Sequence, residues 1–274
     1  WEALREKIQG ISRHECALQA PDRNYELSSR HLLMSILPQP TRHSVQRLLQ
    51  PLSEWLLPGS CLLCGAVSRQ QLLCPGCQND LPLHDGPQCP VCAEVTPDGT
   101  VCTPCRKETP HFDRCIAHFR YEFPVDRIIH ALKYGHQLLI ARWLGETLAT
   151  HPDTGGHDCL IALPLHPQRL QERGFNQSME IAKHLAKSRN IPLLRDTLIR
   201  RRATPPQAGL PHKQRQANVR GAFECSEDMR GRSVLLLDDV MTTGATLNEC
   251  ARILKLHGAA QVSVAVAART LRHD

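Results

Sequence analysis

The stretch Val234–Thr246 decides the fold of this chain, and its sequence is Val-Leu-Leu-Leu-Asp-Asp-Val-Met-Thr-Thr-Gly-Ala-Thr. Four consecutive apolar residues open it and predict a buried strand of a parallel sheet. Two adjacent carboxylates, Asp238 and Asp239, come at the end of that strand, and a loop of small residues then enters a helix with an apolar face. Strand, acids, loop and helix in this order predict a ligand site at the carboxyl end of the strand.

The loop has the donors that hold a phosphate. Hydroxyls and backbone N–H groups meet there at a helix N-terminus, where unpaired donors and the helix dipole favour an anion. The residues concerned are Thr242, Thr243, Gly244, Ala245 and Thr246. Asp238 and Asp239 are acceptors for sugar hydroxyls at the mouth of the same cleft. The alternative is that the two acids only cap the helix.

Eight of the 13 cysteines fall in four Cys-x-x-Cys pairs. The pattern Cys-x2-Cys-x9-Cys-x2-Cys occurs twice, offset by 28 residues, at Cys61, Cys64, Cys74, Cys77 and again at Cys89, Cys92, Cys102, Cys105. Two such turns bring four thiolates to one tetrahedral Zn²⁺, so we expect two structural zinc ions in a double zinc ribbon over residues 58–108. Pairing within each repeat is favoured, because nine residues suffice for a short hairpin. An interleaved pairing and a disulfide framework are the alternatives.

The Cys-rich module has too little apolar content for a core of its own, so the metal is expected to supply its folding energy. The remaining cysteines lack such partners, and we expect them to be small buried residues. They are Cys16, Cys115, Cys159, Cys225 and Cys250.

The net charge of +6 is unevenly placed along the chain. Residues 195–220 carry seven basic residues and one acid, which accounts for the whole excess. This segment predicts an anionic ligand, either a polyphosphate or a nucleic acid, and a mobile loop that covers the site. A solvated basic loop is the alternative.

No run of 18 apolar residues predicts a membrane span, and the charged start has no apolar signal region, so we expect a cytoplasmic protein. Residues 1–57 match no motif and are taken as an N-terminal extension. We expect residues 1–33 to be spurious, with Met34 as a more plausible start, and a helix over residues 45–57.

Residues 109–274 alternate between strand and helix patterns, which predicts an α/β fold with a mostly parallel sheet and flanking helices. We expect a strand or hairpin at 112–121 and strands at 159–163, 191–194, 233–237 and 262–266. We expect helices from 124 and at 138–148, 177–188 and 245–257.

Further polar residues are expected at the carboxyl edge of this sheet. Leu165 and His166 follow a strand, and Arg169 and Arg173 are four residues apart, so one face presents both to an anion. Lys133 ends a helix and is a second candidate cation, although a surface lysine and a structural histidine are the ordinary alternatives.

The motif over residues 234–246 resembles the phosphoribosyl-diphosphate (PRPP) motif of type I phosphoribosyltransferases. Together with other segments it resembles the ComF family, the competence-protein-F or GntX-like proteins. The resemblance covers residues from about 58 to 270. It rests on the Cys-rich start, Ala131–Tyr134, Pro164–His166, Arg169–Gln177, the spacing from Arg200 to Gln207, and Asn218–Phe223.

This resemblance implies a type I phosphoribosyltransferase-like fold that binds PRPP with Mg²⁺. It implies that Asp238 and Asp239 contact the ribose as catalytic residues, that the loop to Thr246 binds the 5′-phosphate, and that the loop after Leu163 approaches the pyrophosphate. The full set expected at PRPP adds Lys133, Leu165, His166, Arg169, Arg173, Arg201, Arg202 and Arg215. Members are linked to DNA uptake during competence or to the use of DNA as a nutrient, so single-stranded DNA and competence proteins are expected partners.

The expected function is therefore transfer of a phosphoribosyl group with release of pyrophosphate. A rival from another class is a non-enzymatic factor that binds single-stranded DNA on a PRPP-binding scaffold. The low aromatic content of 4% argues against extensive base stacking. A structural adaptor built on the zinc module is a third hypothesis.

Overall fold

The computed structural model describes residues 59–68, 71–202 and 217–271. The strands in these residues are β1 (Arg114–Arg120), β2 (Cys159–Ala162), β3 (Leu193–Leu194), β4 (Leu198–Arg200), β5 (Phe223–Cys225), β6 (Ser233–Met241) and β7 (Gln261–Arg269). Five of them form one sheet in the order β1-β7-β6-β2-β3, in which every pair is parallel, and β4 and β5 form an antiparallel pair. The predicted α/β fold with a mostly parallel sheet is confirmed.

Two short helices, α1 (Pro75–Asn79) and α2 (Thr103–Lys107), lie in the Cys-rich module before β1. The others lie in the connections between parallel strands, as crossover connections require. They are α3 (Val125–Gly135), α4 (Leu138–Ala149), α5 (Pro167–Arg173), α6 (Gln177–Arg189) and α7 (Ala245–Leu256). Among the described residues, none of these helices has both the length and the apolar character needed to cross a bilayer. The expected extension over residues 1–57, its helix and the residues Cys16 and Arg215 lie outside the described residues.

Strand β6 runs farther than its sequence predicts. We expected it to end at Leu237, but its pairing with β7 continues through Asp238 opposite Val266 to Met241 opposite Arg269. On its other side β2 ends opposite Leu237. The two acids therefore lie within the strand, at the point where one neighbouring strand has stopped and the sheet edge is open.

Two apolar clusters cover the two faces of the sheet. One joins Leu235 and Leu237 of β6 to α3, α4, α6 and the first Cys repeat. The other joins Val234 and Leu236 to α7, β4, β5 and the second Cys repeat. This follows from the alternation of side chains along a strand. The two repeats thus support opposite faces of the same sheet.

The helix faces predicted from periodicity are largely found. Val125, Ile128 and the other apolar residues on that face of α3 are fully buried. Leu138 was expected on the inner face of α4, but it lies in the first turn and is 49% exposed. Helix α4 instead approaches α6 closely at Gly145, where an added Cβ would lie 2.6 Å from the carbonyl oxygen of Ile181.

Candidate functional site

A polar cleft of about 230 Å³ lies at the carboxyl ends of β2 and β6. Residues from four parts of the chain line it: the end of α3, the loop after β2 with α5 and the start of α6, the end of β4, and the segment from β6 into α7. They include Lys133, Leu163, Leu165, Arg169, Arg173, Gln177, Arg200, Asp238, Asp239, Thr242, Gly244, Ala245 and Thr246. The position agrees with the general rule that open α/β sheets bind ligands at this edge.

Asp239 forms an ion pair with Lys133 at the floor of the cleft. Its Oδ2 lies 2.7 Å from the Lys133 Nζ, and the two side chains are 5% and 21% exposed. Burial alone would lower the pKa of Lys133, but the carboxylate of Asp239 outweighs it and the pKa lies above its ordinary value. The sequence left open whether Lys133 is a surface lysine or a cation of the site, and the structure places it against Asp239.

Asp238 has a different environment from its neighbour. Its Oδ1 accepts hydrogen bonds from the Ser178 hydroxyl at 2.8 Å and from the Asp239 backbone N–H at 2.9 Å. Loss of water contact and then the charge of Asp239 raise the pKa of Asp238 to about 7. The cleft therefore holds a carboxyl group that titrates near neutral pH.

The loop after β6 brings backbone donors to the start of α7. Gly244 is the N-cap with φ 78°, a left-handed conformation that suits glycine, and it receives no side-chain capping bond. The Ala245 N–H donates to the Thr243 hydroxyl over 3.4 Å. The helix-capping alternative for the two acids is wrong, because they lie on β6 and bond elsewhere. Thr243 lines a second cavity toward the second Cys repeat.

Three arginines add positive charge to the cleft. Arg169 and Arg173 come from α5, as their spacing predicts, and Arg200 comes from β4. The Arg173 guanidinium donates to the Gln177 Oε1 at 2.8 Å and lies 5.4 Å from the centre of the Tyr134 ring. These contacts orient the arginine without neutralising it.

Other predicted site residues lie elsewhere. His166 is the N-cap of α5, where its Nδ1 accepts the Gln168 N–H at 3.3 Å, and it is absent from the residues that line the cleft. Arg201 pairs with Glu224 at 2.8 Å, and Arg202 donates to two backbone carbonyls. Arg215 falls outside the described residues.

Sequence reasoning gave no ligand role to Leu163, Gln177 or Arg200, which line the cleft, although its quoted segments contain all three. It did not single out Ser178, whose hydroxyl donates to Asp238. The signal for Gln177 and Ser178 lies in Asn176, which caps α6 by accepting the N–H of Ser178 at 3.0 Å. The Asn176 amide also donates to the Leu163 carbonyl at 3.0 Å, which ties α6 to the loop after β2.

The eight cysteines form two separate sets of four, and each set comes from one repeat. Within each set the sulfurs lie within 4.8 Å of one another, with Cys64–Cys74 at 3.7 Å and Cys92–Cys102 at 3.6 Å. Tetrahedral Zn–S bonds of about 2.3 Å place sulfurs about 3.8 Å apart, so both sets fit Zn²⁺. Pairing within each repeat is confirmed, and Cys115, Cys159, Cys225 and Cys250 are buried as expected.

Comparison with protein families finds two matches in this chain. A double zinc ribbon domain matches residues 52–114, and a phosphoribosyl transferase domain matches residues 171–273. Among solved structures, glutamine PRPP amidotransferase of B. subtilis is 23% identical with a TM-score of 0.34, over 46% of this chain and 25% of its own. A hypoxanthine phosphoribosyltransferase of Staphylococcus aureus is 14% identical with a TM-score of 0.29, over 47% of this chain and 60% of its own.

Curated relatives match across both domains. DNA utilization protein YhgH of Escherichia coli K12 is 31% identical over 82% of this chain and 95% of its own length. Competence protein F of Haemophilus influenzae is 31% identical over 70% and 88%, and competence protein ComFC of Bacillus subtilis is 26% identical over 74% and 92%. The chain, with its double zinc ribbon and phosphoribosyltransferase domain, belongs to the ComF family.

Proposed function

We propose that the cleft binds PRPP and that the protein transfers its phosphoribosyl group to an acceptor with release of pyrophosphate. One observation carries the proposal. A pair of carboxylates, which accept hydrogen bonds from hydroxyls, stands beside a helix N-terminus and four cationic side chains, which bind phosphates. A ligand with both a sugar and several phosphates matches this set of groups.

The ribose of PRPP is assigned to the acids. Asp238 and Asp239 lie in β6 where the neighbouring strand β2 has ended, and both residues line the cleft. Lys133 holds the Asp239 carboxylate in place through their ion pair. The carboxylates would accept the two ribose hydroxyls in charge-assisted hydrogen bonds, which are stronger than neutral ones.

The 5′-phosphate is assigned to the start of α7. The loop from Thr242 to Thr246 enters this helix through Gly244, and α7 has 12 residues. The first N–H groups of a helix have no partner within it, and the helix dipole is positive at this end. Both features favour a phosphate, and the hydroxyls of Thr242 and Thr246, which line the cleft, add further donors.

The pyrophosphate is assigned to the opposite wall. Arg169 and Arg173 present planar guanidinium groups from one helix, and Arg200 adds a third from β4. Guanidinium groups match phosphate oxygens in pairs of hydrogen bonds. Mg²⁺ bound together with PRPP would further neutralise the leaving group, and carboxylate oxygens such as those of Asp238 are ligands of the type this cation takes.

In the proposed reaction the acceptor forms a bond to C1 of the ribose as the bond from C1 to the pyrophosphate oxygen breaks. The pyrophosphate leaves with the electron pair, and the proton of the acceptor passes to solvent. Positive charge develops on the ribose next to the two acids, and negative charge develops on the leaving group next to the arginines. The protein's contribution is thus positioning and electrostatic stabilisation.

We also propose a role in DNA uptake or in the use of DNA as a nutrient, in the cytoplasm. The names of the relatives, a DNA utilization protein and competence proteins, support this role. The proposed reaction is consistent with this role. Transfer of a phosphoribosyl group to a nucleobase-like or other nucleophilic acceptor would link DNA breakdown or uptake to nucleotide metabolism.

The second candidate is a factor that binds single-stranded DNA without catalysis. It is favoured by the exposed side chain of Arg201 at 63% and by the basic residues around it. Replacing Arg201, Arg202 and Arg215 by alanine separates the two functions. We expect weaker PRPP binding with a smaller salt dependence if the segment covers the cleft.

Loss of DNA binding alone in this triple variant would favour the second candidate, and unchanged binding of both ligands would show a solvated loop. A matched control replaces three other exposed arginines, Arg127, Arg142 and Arg230, by alanine. The control should bind PRPP as the parent protein does.

Isothermal titration tests the proposed ligand directly. PRPP with Mg²⁺ is compared with ribose 5-phosphate and with inorganic pyrophosphate, each of which fills only one part of the cleft. PRPP should bind at least about tenfold more tightly than either, because it engages acids, helix N-terminus and arginines together. Equal binding of pyrophosphate and PRPP would assign the cleft to a simple polyanion and overturn the proposal.

A further inference from the structure

Arg269, the last residue of β7, joins the second Cys repeat to the loop that opens α7. Its side chain is fully buried. One nitrogen, Nη2, lies 2.8 Å from the Glu94 Oε2 and 4.0 Å from the Cys92 sulfur. The other, Nη1, donates to the carbonyl oxygen of Thr242 at 2.7 Å. One guanidinium therefore bridges a predicted zinc site and the loop 241–246, here called the phosphate loop.

The position of Glu94 depends on the turn that carries two zinc ligands. The backbone N–H of Cys89 donates to the Glu94 carbonyl at 2.7 Å, which closes the Cys89–Cys92 turn. Ala93, between the turn and Glu94, has φ 56°, and its carbonyl lies 2.6 Å from the His84 Nε2. A metal bound at Cys89 and Cys92 would fix this turn, and the turn fixes the carboxylate.

The contact of Arg269 with the phosphate loop is made through the Thr242 carbonyl. Thr242 lines the cleft, and its carbonyl has no place in the regular pairing of β6 with β7, which ends at Met241. Arg269 supplies a buried charged donor to that carbonyl. A buried charge is tolerated only when it is paired and hydrogen-bonded, so loss of Glu94 would leave the guanidinium free to pull away from the loop.

The first Cys repeat offers a contrast. Its buried residues Cys61, Leu73 and Leu81 pack with α3, α4 and α6 on the other face of the sheet, whereas the phosphate loop and α7 belong to the face of the second repeat. The two zinc sites are thus inequivalent with respect to the cleft.

We propose that Glu94 and Arg269 are positioning residues, through which the second zinc ribbon holds the loop 241–246 in its ligand-binding geometry. The coupling itself is independent of the ligand, and its effect on PRPP rests on the proposed function. Thermodynamic linkage makes the coupling reciprocal, so ligand binding at the loop also affects zinc binding at the second site. A ligand at the loop retains zinc in the second site and leaves zinc in the first site unaffected.

The first test compares Glu94→Gln with Glu146→Gln by hydrogen exchange and zinc content. Glu146 is a matched control, because it is an ion-paired glutamate of α4, on the other face of the sheet from the loop. We expect both variants to keep two zinc ions, because neither residue is a ligand. Amide exchange over residues 241–246 should accelerate at least about tenfold in Glu94→Gln alone, which corresponds to about 1.4 kcal/mol. No acceleration, or equal acceleration in both variants, would overturn the proposal.

The second test needs no variant and decides the matter even where Glu94→Gln loses metal. Zinc release from the wild-type protein to a chelator is followed with and without Mg²⁺-PRPP, and the freed thiols are alkylated and located by mass spectrometry. PRPP should slow release from Cys89, Cys92, Cys102 and Cys105 and not from the first set. Protection of neither set, or of both equally, by PRPP that binds would contradict the coupling.

The two failures are distinguishable. PRPP that does not bind to the wild-type protein overturns the proposed function, and the exchange comparison without ligand then decides the coupling alone. PRPP that binds equally well to Glu94→Gln and to the wild type, with unchanged exchange, overturns the coupling and leaves the proposed function intact.

Discussion

The ion pair between Lys133 and Asp239 gives the sharpest test of the cleft's electrostatics. We consider Lys133→Met, which keeps much of the side-chain volume and removes the charge. The Asp239 carboxylate is 5% exposed and lies 2.7 Å from the lysine, with Asp238 as its neighbour in the strand. The substitution therefore leaves two adjacent carboxyl groups without their buried cation.

The size of the effect follows from this burial. Removing one partner of a buried ion pair costs about 3–5 kcal/mol, and the 21% exposure of Lys133 reduces this to about 2–4 kcal/mol. Asp239→Asn in the same background removes the unpaired charge. The double variant should then lie within about 1.5 kcal/mol of the wild type, because replacing both members of a buried pair is often nearly neutral.

Urea denaturation of the four proteins at constant pH measures this coupling as a double-mutant cycle. Lys183→Met is the matched control, since Lys183 forms a pair of equal length, 2.7 Å, with Glu180 on the surface of α6. It should cost no more than about 0.5 kcal/mol. Additive effects of Lys133→Met and Asp239→Asn would show that the two groups do not interact, and would refute the reasoning.

Three further predictions concern other parts of the molecule. Asp238→Asn should gain stability relative to the wild type as the pH rises from about 4 to 7. The pKa of the Asp238 carboxyl is about 7 in the folded state and about 3.9 in the unfolded state, so ionisation over this range destabilises the wild type and not the variant. Thermal denaturation at pH 5 and pH 8 checks this, and an equal difference at both values would contradict it. Gly244→Ala should destabilise the protein by about 1–2 kcal/mol, because φ there is 78° and the new Cβ meets Met241. Chemical denaturation measures this loss of stability. Elemental analysis should find two zinc ions per chain, and one zinc ion or iron would reject the two-site interpretation.

Local sequence patterns predicted the elements that have a strong periodicity. The apolar run before Asp238 predicted β6, and the repeat of the Cys pattern predicted two sets of four cysteines, which the structure places within bonding distance of one metal each. Both are short-range signals, because the residues that define them are close in the chain.

The parts that local patterns could not predict depend on contacts between distant segments. The end of β6 was misplaced because β7 pairs with it beyond Leu237, which no local pattern reveals. Lys133 was ambiguous because its partner Asp239 lies far along the chain, and Arg200 was hidden in a basic segment. Arg269 was not considered at all, since a charged residue at the end of a strand is ordinarily exposed.

Isothermal titration of Mg²⁺-PRPP into the wild type and into the Asp238→Asn/Asp239→Asn double variant tests the central claim most directly. Each charge-assisted bond to a ribose hydroxyl is worth about 1.5–3 kcal/mol, so losing both should weaken binding at least about tenfold. Zinc content and circular dichroism verify that the variant is folded. Weaker binding with both zinc ions retained is the result we predict, and a folded double variant that binds PRPP as tightly as the wild type would contradict it.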